Sequence, residues 1–568
     1  MDRLRIIAVA VLALLVVVGA DSSEEYYSDS EEFQNDDVPY TVLSVCVDAN
    51  GQLFTVDGSE CDNRVAIGKF KDTINQTGWS YLEIETSDKF APGVQAYAGG
   101  VAEGKLTRRV IYNHIRNTVE GYCDGYTAYC DRLKNYIQEN MQWIRSQLIA
   151  RPDDLYWQNV NTTLSQLTGV WHGYDNSKLS PEVSFDITPV LMIQMNGDLI
   201  DLEKVLHKKK DEVAKKEPED SRCSGIVKLA PGNKDLFISQ VAMSGFNTMT
   251  RVLKLYKFGY DKTKVPGHTT SFSGYPAGLT SSDDFALFSS GLANIETTVN
   301  VYNRSLYAFV KPRGQILSWL RTTVANNMAK TAKEWTRVYS RFNSGTYNNQ
   351  WIVVDYKLFK PGQPLPKRGL MWVLESMPGT VVAKDMTRHL EKHTYFPSYN
   401  FPYFKKIQQI SGFLAEAERV GEWDSYDNCP RAKMFRRDHH KVVDIDSLTK
   451  LMRYNDYKND PYSRCNCTPP YTAEAAISAR GDLNPANGTY AMPGMGHVNH
   501  GGLDMKGTNY AMMKQLRFHA WSGPTYDPLP PFSWKTTDLV TPHFGMPDEY
   551  KFLPVDYEWE TPVEVDIN

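Results

Sequence analysis

The chain has 568 residues, 42% hydrophobic and 23% charged, with a formal net charge of −5. This composition excludes a wholly disordered or collagen-like chain, and the lack of a basic field argues against nucleic acid as the main ligand. The length calls for two ordinary domains or one large layered domain, and 33 Tyr, 23 Phe and 12 Trp suffice for a large core with aromatic-lined clefts.

Arg3 and Arg5 precede an unbroken apolar run, Ile6 to Val18, followed by Gly19-Ala20 and the polar Asp21. That order reads as a secretory signal over residues 1–20, since the run is short for a membrane span. Residues 21–37 hold eight acids and read as a solvated, disordered leader. A secreted or lumenal chain fits the five acceptor triplets headed by Asn75, Asn161, Asn303, Asn466 and Asn487.

Strands are expected at Thr41 to Val47 and Gln52 to Val56, joined through Asp48-Ala49-Asn50-Gly51, a hairpin turn signal. Cys46 and Cys61 bracket that hairpin and form a reasonable bridge. Cys123 and Cys130 could close a small loop, whereas a bridge between Cys465 and Cys467 would be strained by its spacing. Cys223 and Cys429 are left over. Helical spacing runs through Leu106 to Glu120, Asp131 to Ile149 and Asp153 to Leu167. Residues 207–222 then form a charged run with five lysines, read as an exposed, cleavable connector, with a solvated surface helix equally compatible.

After the connector the pattern turns to strand at Cys223 to Leu229 and Leu236 to Val241, around Pro231-Gly232-Asn233. A helix is expected next, with Met249, Val252, Leu253 and Tyr256 on one face. Further strands are expected at Leu306 to Val310, Trp351 to Tyr356 and Leu370 to Leu374, and helix over Ile316 to Tyr339. No composition shift marks a second fold, so one large mixed α and β domain is the reading, divided at the connector into residues 38–222 and 223–568.

G-x-S-x-G and H-E-x-x-H are absent, as are a P-loop and a dinucleotide fingerprint, and no cofactor is expected. His389 and His393 have a metal-compatible i,i+4 spacing without a third ligand in view. His497 and His500 sit in a Gly-rich loop, and Arg480-Gly481-Asp482 spells an integrin-type tripeptide. Cys223 stands apart. Cutting at Arg222–Cys223 would make it the first residue of a new chain, with its thiol as nucleophile and its own α-amine as base.

The stretch Cys223-Ser224-Gly225-Ile226-Val227-Lys228-Leu229-Ala230-Pro231-Gly232 resembles the new N-terminus of the phospholipase B-like family. The match continues in order through Ser290-Gly291-Leu292, Glu296-Thr297-Thr298, Asn343 to Gln350, Pro397-Ser398-Tyr399-Asn400, Pro430-Arg431-Ala432-Lys433 and Met452-Arg453-Tyr454-Asn455. Ala476 to Arg480 and Asp482 to Gly488 look like the type-2, lysosomal branch. The resemblance implies an α+β N-terminal-nucleophile (Ntn) hydrolase fold, a four-layer αββα sandwich of two antiparallel sheets between helices. It also implies self-cleavage before Cys223 and acyl-bond hydrolysis, proposed for phospholipids, in the lysosome lumen or after secretion. Cys223 corresponds to the nucleophile, Thr298 lies beside it, and Asn400 and Arg431 are polar groups able to donate to a developing oxyanion. Where the family usually reads H-x-x-W, this chain has Gln240-Val241-Ala242-Met243. Gln cannot titrate near neutral pH, and Met fills space more loosely than Trp. An amidase acting on N-acyl lipids or peptides and a non-catalytic lumenal glycoprotein are the open alternatives. Partners compatible with the reading are a lipid or N-acyl substrate, a sorting receptor engaging the N-glycans and a second copy of the chain, with no transmembrane segment.

Overall fold

The structure, a computed structural model, describes residues 38–209, 222–282 and 285–567. The expected signal, the acidic leader and residues 210–221 of the connector lie outside them. In chain order the strands are β1 (Thr41–Val47), β2 (Leu53–Asp57), β3 (Arg64–Thr73), β4 (Trp79–Thr86), β5 (Arg222–Leu229), β6 (Leu236–Ser244) and β7 (Arg251–Lys257). There follow β8 (Thr269–Gly274), β9 (Phe285–Phe288), β10 (Leu292–Thr298), β11 (Asn349–Asp355), β12 (Met371–Met377), β13 (Thr380–Asp385) and β14 (Tyr395–Ser398). The last are β15 (Gly501–Gly502), β16 (Asp504–Thr508), β17 (His519–Ser522), β18 (Phe532–Ser533), β19 (Glu549–Tyr550) and β20 (Val555–Asp556).

An 11-stranded sheet runs β13-β12-β11-β10-β9-β8-β7-β4-β3-β1-β2, and a 7-stranded sheet runs β14-β5-β6-β16-β17-β20, with β15 also on β6. The fold is α+β. Two departures from the expected pair of antiparallel sheets appear: β4 pairs with β7 in parallel, and β18 and β19 form a small antiparallel sheet of their own. The parallel pair joins strands from before the connector to strands from after it.

The two large sheets face each other. A Cβ on Gly225 of β5 would come within 3.0 Å of Ile295 Cδ1 on β10, so glycine lets the sheets approach there. Val227 and Ile238 from one sheet and Leu253, Ala293 and Ile295 from the other share one apolar core. The far face of the larger sheet carries a second core, with Val252, Tyr256 and Phe272 against Tyr97, Ala98 and Val101 of the helix Pro92–Leu106. The far face of the smaller sheet packs Ile226, Phe237, Val241 and Met243 with Met434 and Phe435 of the helix Pro430–Asp438.

This layering explains where the expected elements fail. Residues 251–257 form strand β7 rather than helix, because the strand is buried on both faces with Arg251 and Lys254 paired inside, so its apolar residues Val252, Leu253, Leu255 and Tyr256 lack a strand's alternation. Residues 304–309 form a 3₁₀ helix, Arg304–Phe309, instead of a strand. The helix expected over Ile316 to Tyr339 is two, Ser318–Met328 and Ala332–Tyr339, the second capped by Thr331, whose hydroxyl accepts from the Glu334 N–H at 3.2 Å. The helix Pro92–Leu106 was not expected because it is glycine-rich. A Cβ at Gly100 would lie 2.2 Å from the Gln166 carbonyl oxygen, so close contact with the helix Leu155–Asp175 requires glycine there. The hairpin β1–β2, the β5–β6 pair and disulfides Cys46–Cys61, Cys123–Cys130 and Cys465–Cys467 are present.

Candidate active site

Cys223 is the second residue of β5. Its ladder partner on β6 is Ala242, and farther along the strand Gly225 pairs with Ser398 of the short edge strand β14. Cys223 is 4% exposed and outside any disulfide. Alternation along β5 puts it on the face shared with Gly225 and Val227, toward the larger sheet. Cys429, the other unbridged cysteine, is buried at the start of the helix Pro430–Asp438, and burial pushes its thiol up to about 11, which makes it inert.

β14 delivers Asn400. After Ser398 the chain leaves the sheet, and Asn400 adopts a left-handed backbone with φ of 71°, a conformation asparagine tolerates better than most residues. Its side chain links the sheets. Asn400 Oδ1 accepts from the Cys223 main-chain N–H at 2.9 Å, and Nδ2 donates to the Thr298 carbonyl at the end of β10 at 2.7 Å. The Asn400 main-chain N–H donates to Thr297 Oγ1 at 3.0 Å.

Arg431 approaches from the first turn of its helix, behind Pro430. Nη1 donates to the Cys223 carbonyl and to Ser224 Oγ at 3.3 Å, while Nη2 donates to the Tyr399 carbonyl at 2.8 Å and Asn400 Oδ1 at 2.9 Å. The fixed fork of the guanidinium suits this use, since one group reaches the carbonyl of Cys223 and the side chain holding its amide. All four expected residues, Cys223, Thr298, Asn400 and Arg431, thus meet at one corner between the sheets. In the intact chain the Asn400 oxygen serves the Cys223 nitrogen, so Asn400 is an acceptor there as well as a donor. Thr298 Oγ1 and both side-chain amide atoms of Asn349, its ladder partner on β11, are buried with no hydrogen-bond partner among the described residues.

The two replaced positions lie in different layers. Gln240 faces the larger sheet and its Nε2 donates to the Glu296 carbonyl at 2.9 Å, a neutral tie between the sheets. Met243 belongs to the apolar cluster on the opposite face, with Tyr399 and Met505. Asp504, which sequence reasoning missed, supports β6 from the other side. Its Oδ1 accepts from the Ala242 N–H at 3.2 Å and from Lys506 Nζ at 2.9 Å, and Oδ2 pairs with Arg251 Nη2 at 3.0 Å. The alternation Asp504-Met505-Lys506 within a buried strand was the available signal, and only the second sheet's register shows its target.

The remaining candidates go elsewhere. His389 and His393 have ring centres 4.4 Å apart on the helix Thr387–His393, and no group of three or more metal-ligating side chains occurs among the described residues. His500 pairs with Glu474 and His497 with Asp538. Arg480 is 1% exposed and bonded to Asp482 at 2.8 Å, so Arg480-Gly481-Asp482 is a structural unit and not an adhesive surface. The five acceptor asparagines, Asn75, Asn161, Asn303, Asn466 and Asn487, are all exposed. Among the described residues no helix is long and apolar enough to cross a membrane.

The phospholipase B family model matches residues 66–557. "Putative phospholipase B-like 2" of Caenorhabditis elegans is 51% identical over 97% of this chain and 93% of its own length. "Putative phospholipase B-like 2" of Homo sapiens is 42% identical over 91% and 90%, and "Phospholipase B-like protein B" of Dictyostelium discoideum 33% over 89% and 87%. Among solved structures, a mutant conjugated bile acid hydrolase from Clostridium perfringens overlays with a TM-score of 0.26 at 10% identity, over 61% of this chain and 99% of that one, too loose a likeness to bear on the fold.

Proposed function

This chain belongs to the phospholipase B family, and we propose that it is an Ntn-type acyl hydrolase cut before Cys223 and acting on phospholipid esters in the lysosome lumen. One observation carries the reading: the main chain of Cys223 is held at both ends, its N–H by Asn400 and its carbonyl by Arg431. A structural cysteine needs neither clamp, whereas a residue whose own nitrogen must act as a base needs its main chain held still.

Maturation begins with the Cys223 thiol attacking the Arg222 carbonyl. The peptide C–N bond breaks, the acyl group passes to sulfur, and water hydrolyses the thioester to leave a free α-amine on Cys223. That amine keeps Asn400 Oδ1 as acceptor and takes the thiol proton. The thiolate then attacks the substrate ester. Arg431, with the Asn400 amide, stabilises the oxyanion, the protonated amine returns its proton to the leaving alcohol, and water releases the fatty acid. Gln240 takes no part in proton transfer.

Exposure of all five acceptor asparagines and the three disulfides support passage through an oxidising secretory compartment. The test is product analysis with purified wild type and Cys223→Ala on a panel of phospholipids and N-acyl amides. The reading expects fatty acid from esters, absent in the variant. Release from amides alone would make the protein an amidase, and unchanged turnover by Cys223→Ala would remove the nucleophile.

A further inference from the structure

Behind Asn400 a chain of buried hydrogen bonds runs away from the catalytic corner and ends on a carboxylate. The Asn400 N–H donates to Thr297 Oγ1 at 3.0 Å, Thr297 Oγ1 lies 2.8 Å from Ser398 Oγ, and Ser398 Oγ donates to Gln350 Oε1 at 2.6 Å. Gln350 Nε2 donates to Glu375 Oε1 at 2.6 Å. Glu375 also accepts from the main-chain N–H groups of Tyr403 and Phe404. Thr297, Gln350 and Glu375 sit in register across β10, β11 and β12, and Ser398 comes from β14 of the other sheet. Gln350 and Glu375 are fully buried, as is Thr297, and Ser398 is 1% exposed.

The direction of every bond follows from its end. Burial pushes the Glu375 carboxyl up to about 7, but main-chain N–H groups of Tyr403 and Phe404 already donate to both of its oxygens, so Gln350 turns its NH₂ toward Glu375 and its carbonyl toward Ser398. Ser398 has one hydroxyl hydrogen and spends it on that carbonyl, so at the next contact Thr297 is the donor. Thr297 then offers only lone pairs to the Asn400 N–H, and all donors point one way, from Asn400 to Glu375. Such a one-way chain polarises along its length.

We propose that Glu375 is a positioning residue for Asn400, acting through Gln350, Ser398 and Thr297 to lock the left-handed backbone that aims Asn400 Oδ1 at the nitrogen of Cys223. This rests on the proposed function for its catalytic consequence, though the geometric claim stands without it. Glu375 touches neither substrate nor nucleophile, and its effect is on the orientation of Asn400.

The experiment compares wild type with Thr297→Val, Ser398→Ala, Glu375→Gln and the Thr297→Val/Ser398→Ala pair, with folding checked by melting temperature. Two readouts are taken: acyl turnover, and hydrogen exchange of peptides containing Asn400. Each single change is expected to lower kcat by about 10–100-fold with KM within about twofold, since a small misplacement at a reacting centre has that effect. The pair should be no worse than its worse member, because both cut one chain. Thr297→Ser, which returns the hydroxyl, should recover turnover, and exchange at Asn400 should quicken in all the chain-breaking variants. Unchanged exchange at Asn400 in Ser398→Ala and Glu375→Gln would overturn the proposal even if the protein hydrolyses nothing. Additive losses, or full kcat in Thr297→Val, would overturn it for an active enzyme. A wild type insensitive to Cys223→Ala would instead sink the proposed function and leave the exchange result to judge the chain.

Discussion

Two buried polar clusters of this molecule are built on opposite plans. Near the β4–β7 seam, Lys254 Nζ donates to Glu103 Oε1 at 2.6 Å and to the Gly278 carbonyl at 2.7 Å, and the Tyr256 hydroxyl donates to Glu103 Oε2 at 2.6 Å. Charge and hydrogen-bonding capacity are matched there. At the Cys223 corner, Arg431 and Asn400 grip the main chain tightly, yet Thr298 Oγ1 and both amide atoms of Asn349 beside them find no partner among the described residues. Buried polar atoms without partners cost stability and are retained in few places, often where a ligand or reacting group completes them. The first cluster ties the helix Pro92–Leu106 to β7, joining residues from before and after Cys223, and the second surrounds the bond at which the proposed cut would fall.

Breaking the seam should have the largest effect. Glu103→Gln leaves Lys254 charged and unpaired in a site where both side chains are 1% exposed, so unfolding by denaturant should show a loss of about 3–5 kcal/mol. Turnover of the folded fraction should be unaltered. The seam also predicts what cleavage does not do. No disulfide crosses Arg222–Cys223, two lying before it and one after. After the proposed cut only non-covalent contacts, the β4–β7 ladder and the Glu103–Lys254 pair among them, would join the halves. They should still elute together on gel filtration under reducing, non-denaturing conditions.

At the corner, Arg431→Met keeps length and removes the fork. Turnover should drop by about 10²–10³-fold, with a stability change small beside that of Glu103→Gln. Equal damage to stability would mean the corner is a second structural cluster.

A smaller effect concerns acid. His114, 5% exposed and stacked on Tyr275, is pushed down to about 3 by burial and then by Arg251 and Lys254. The unfolded chain takes up a proton on this residue below about 6.5, and the folded chain does so only near 3. Its contribution is therefore complete above pH 6.5 and is lost as the pH falls toward 3. Between pH 6.5 and 5 that amounts to at most about 2 kcal/mol. His114→Phe keeps a ring against Tyr275 and should flatten this part of the stability profile, measured by urea melts at each pH. The smallest change expected is in Asn349→Leu. Filling the same space without orphaned atoms should stabilise the fold by about 1 kcal/mol while lowering turnover. Lost stability would show that the amide has a structural partner in solution.

The hairpin, β5, β6 and two of the bridges were legible because their signals are local: a turn dipeptide, alternation and short cysteine spacing. β7 was not, since a strand covered on both faces has no alternation to show, and Pro92–Leu106 was hidden by glycines whose purpose is a neighbouring helix. At the site, Cys223 could be singled out from a strand start behind a charged, cleavable run. Asn400 and Arg431 came only with the family resemblance, because their bonds to Cys223 span 177 and 208 residues. Glu375 carries no local mark at all, and its link to Asn400 exists only once four strands from two sheets are side by side.

The decisive measurement is the N-terminal sequence and intact mass of the larger fragment from purified, acidified protein. The account predicts a chain beginning Cys-Ser-Gly-Ile-Val, formed by wild type and missing from Cys223→Ala. A single uncut chain, or fragments that begin elsewhere and form equally well without the Cys223 thiol, would contradict it.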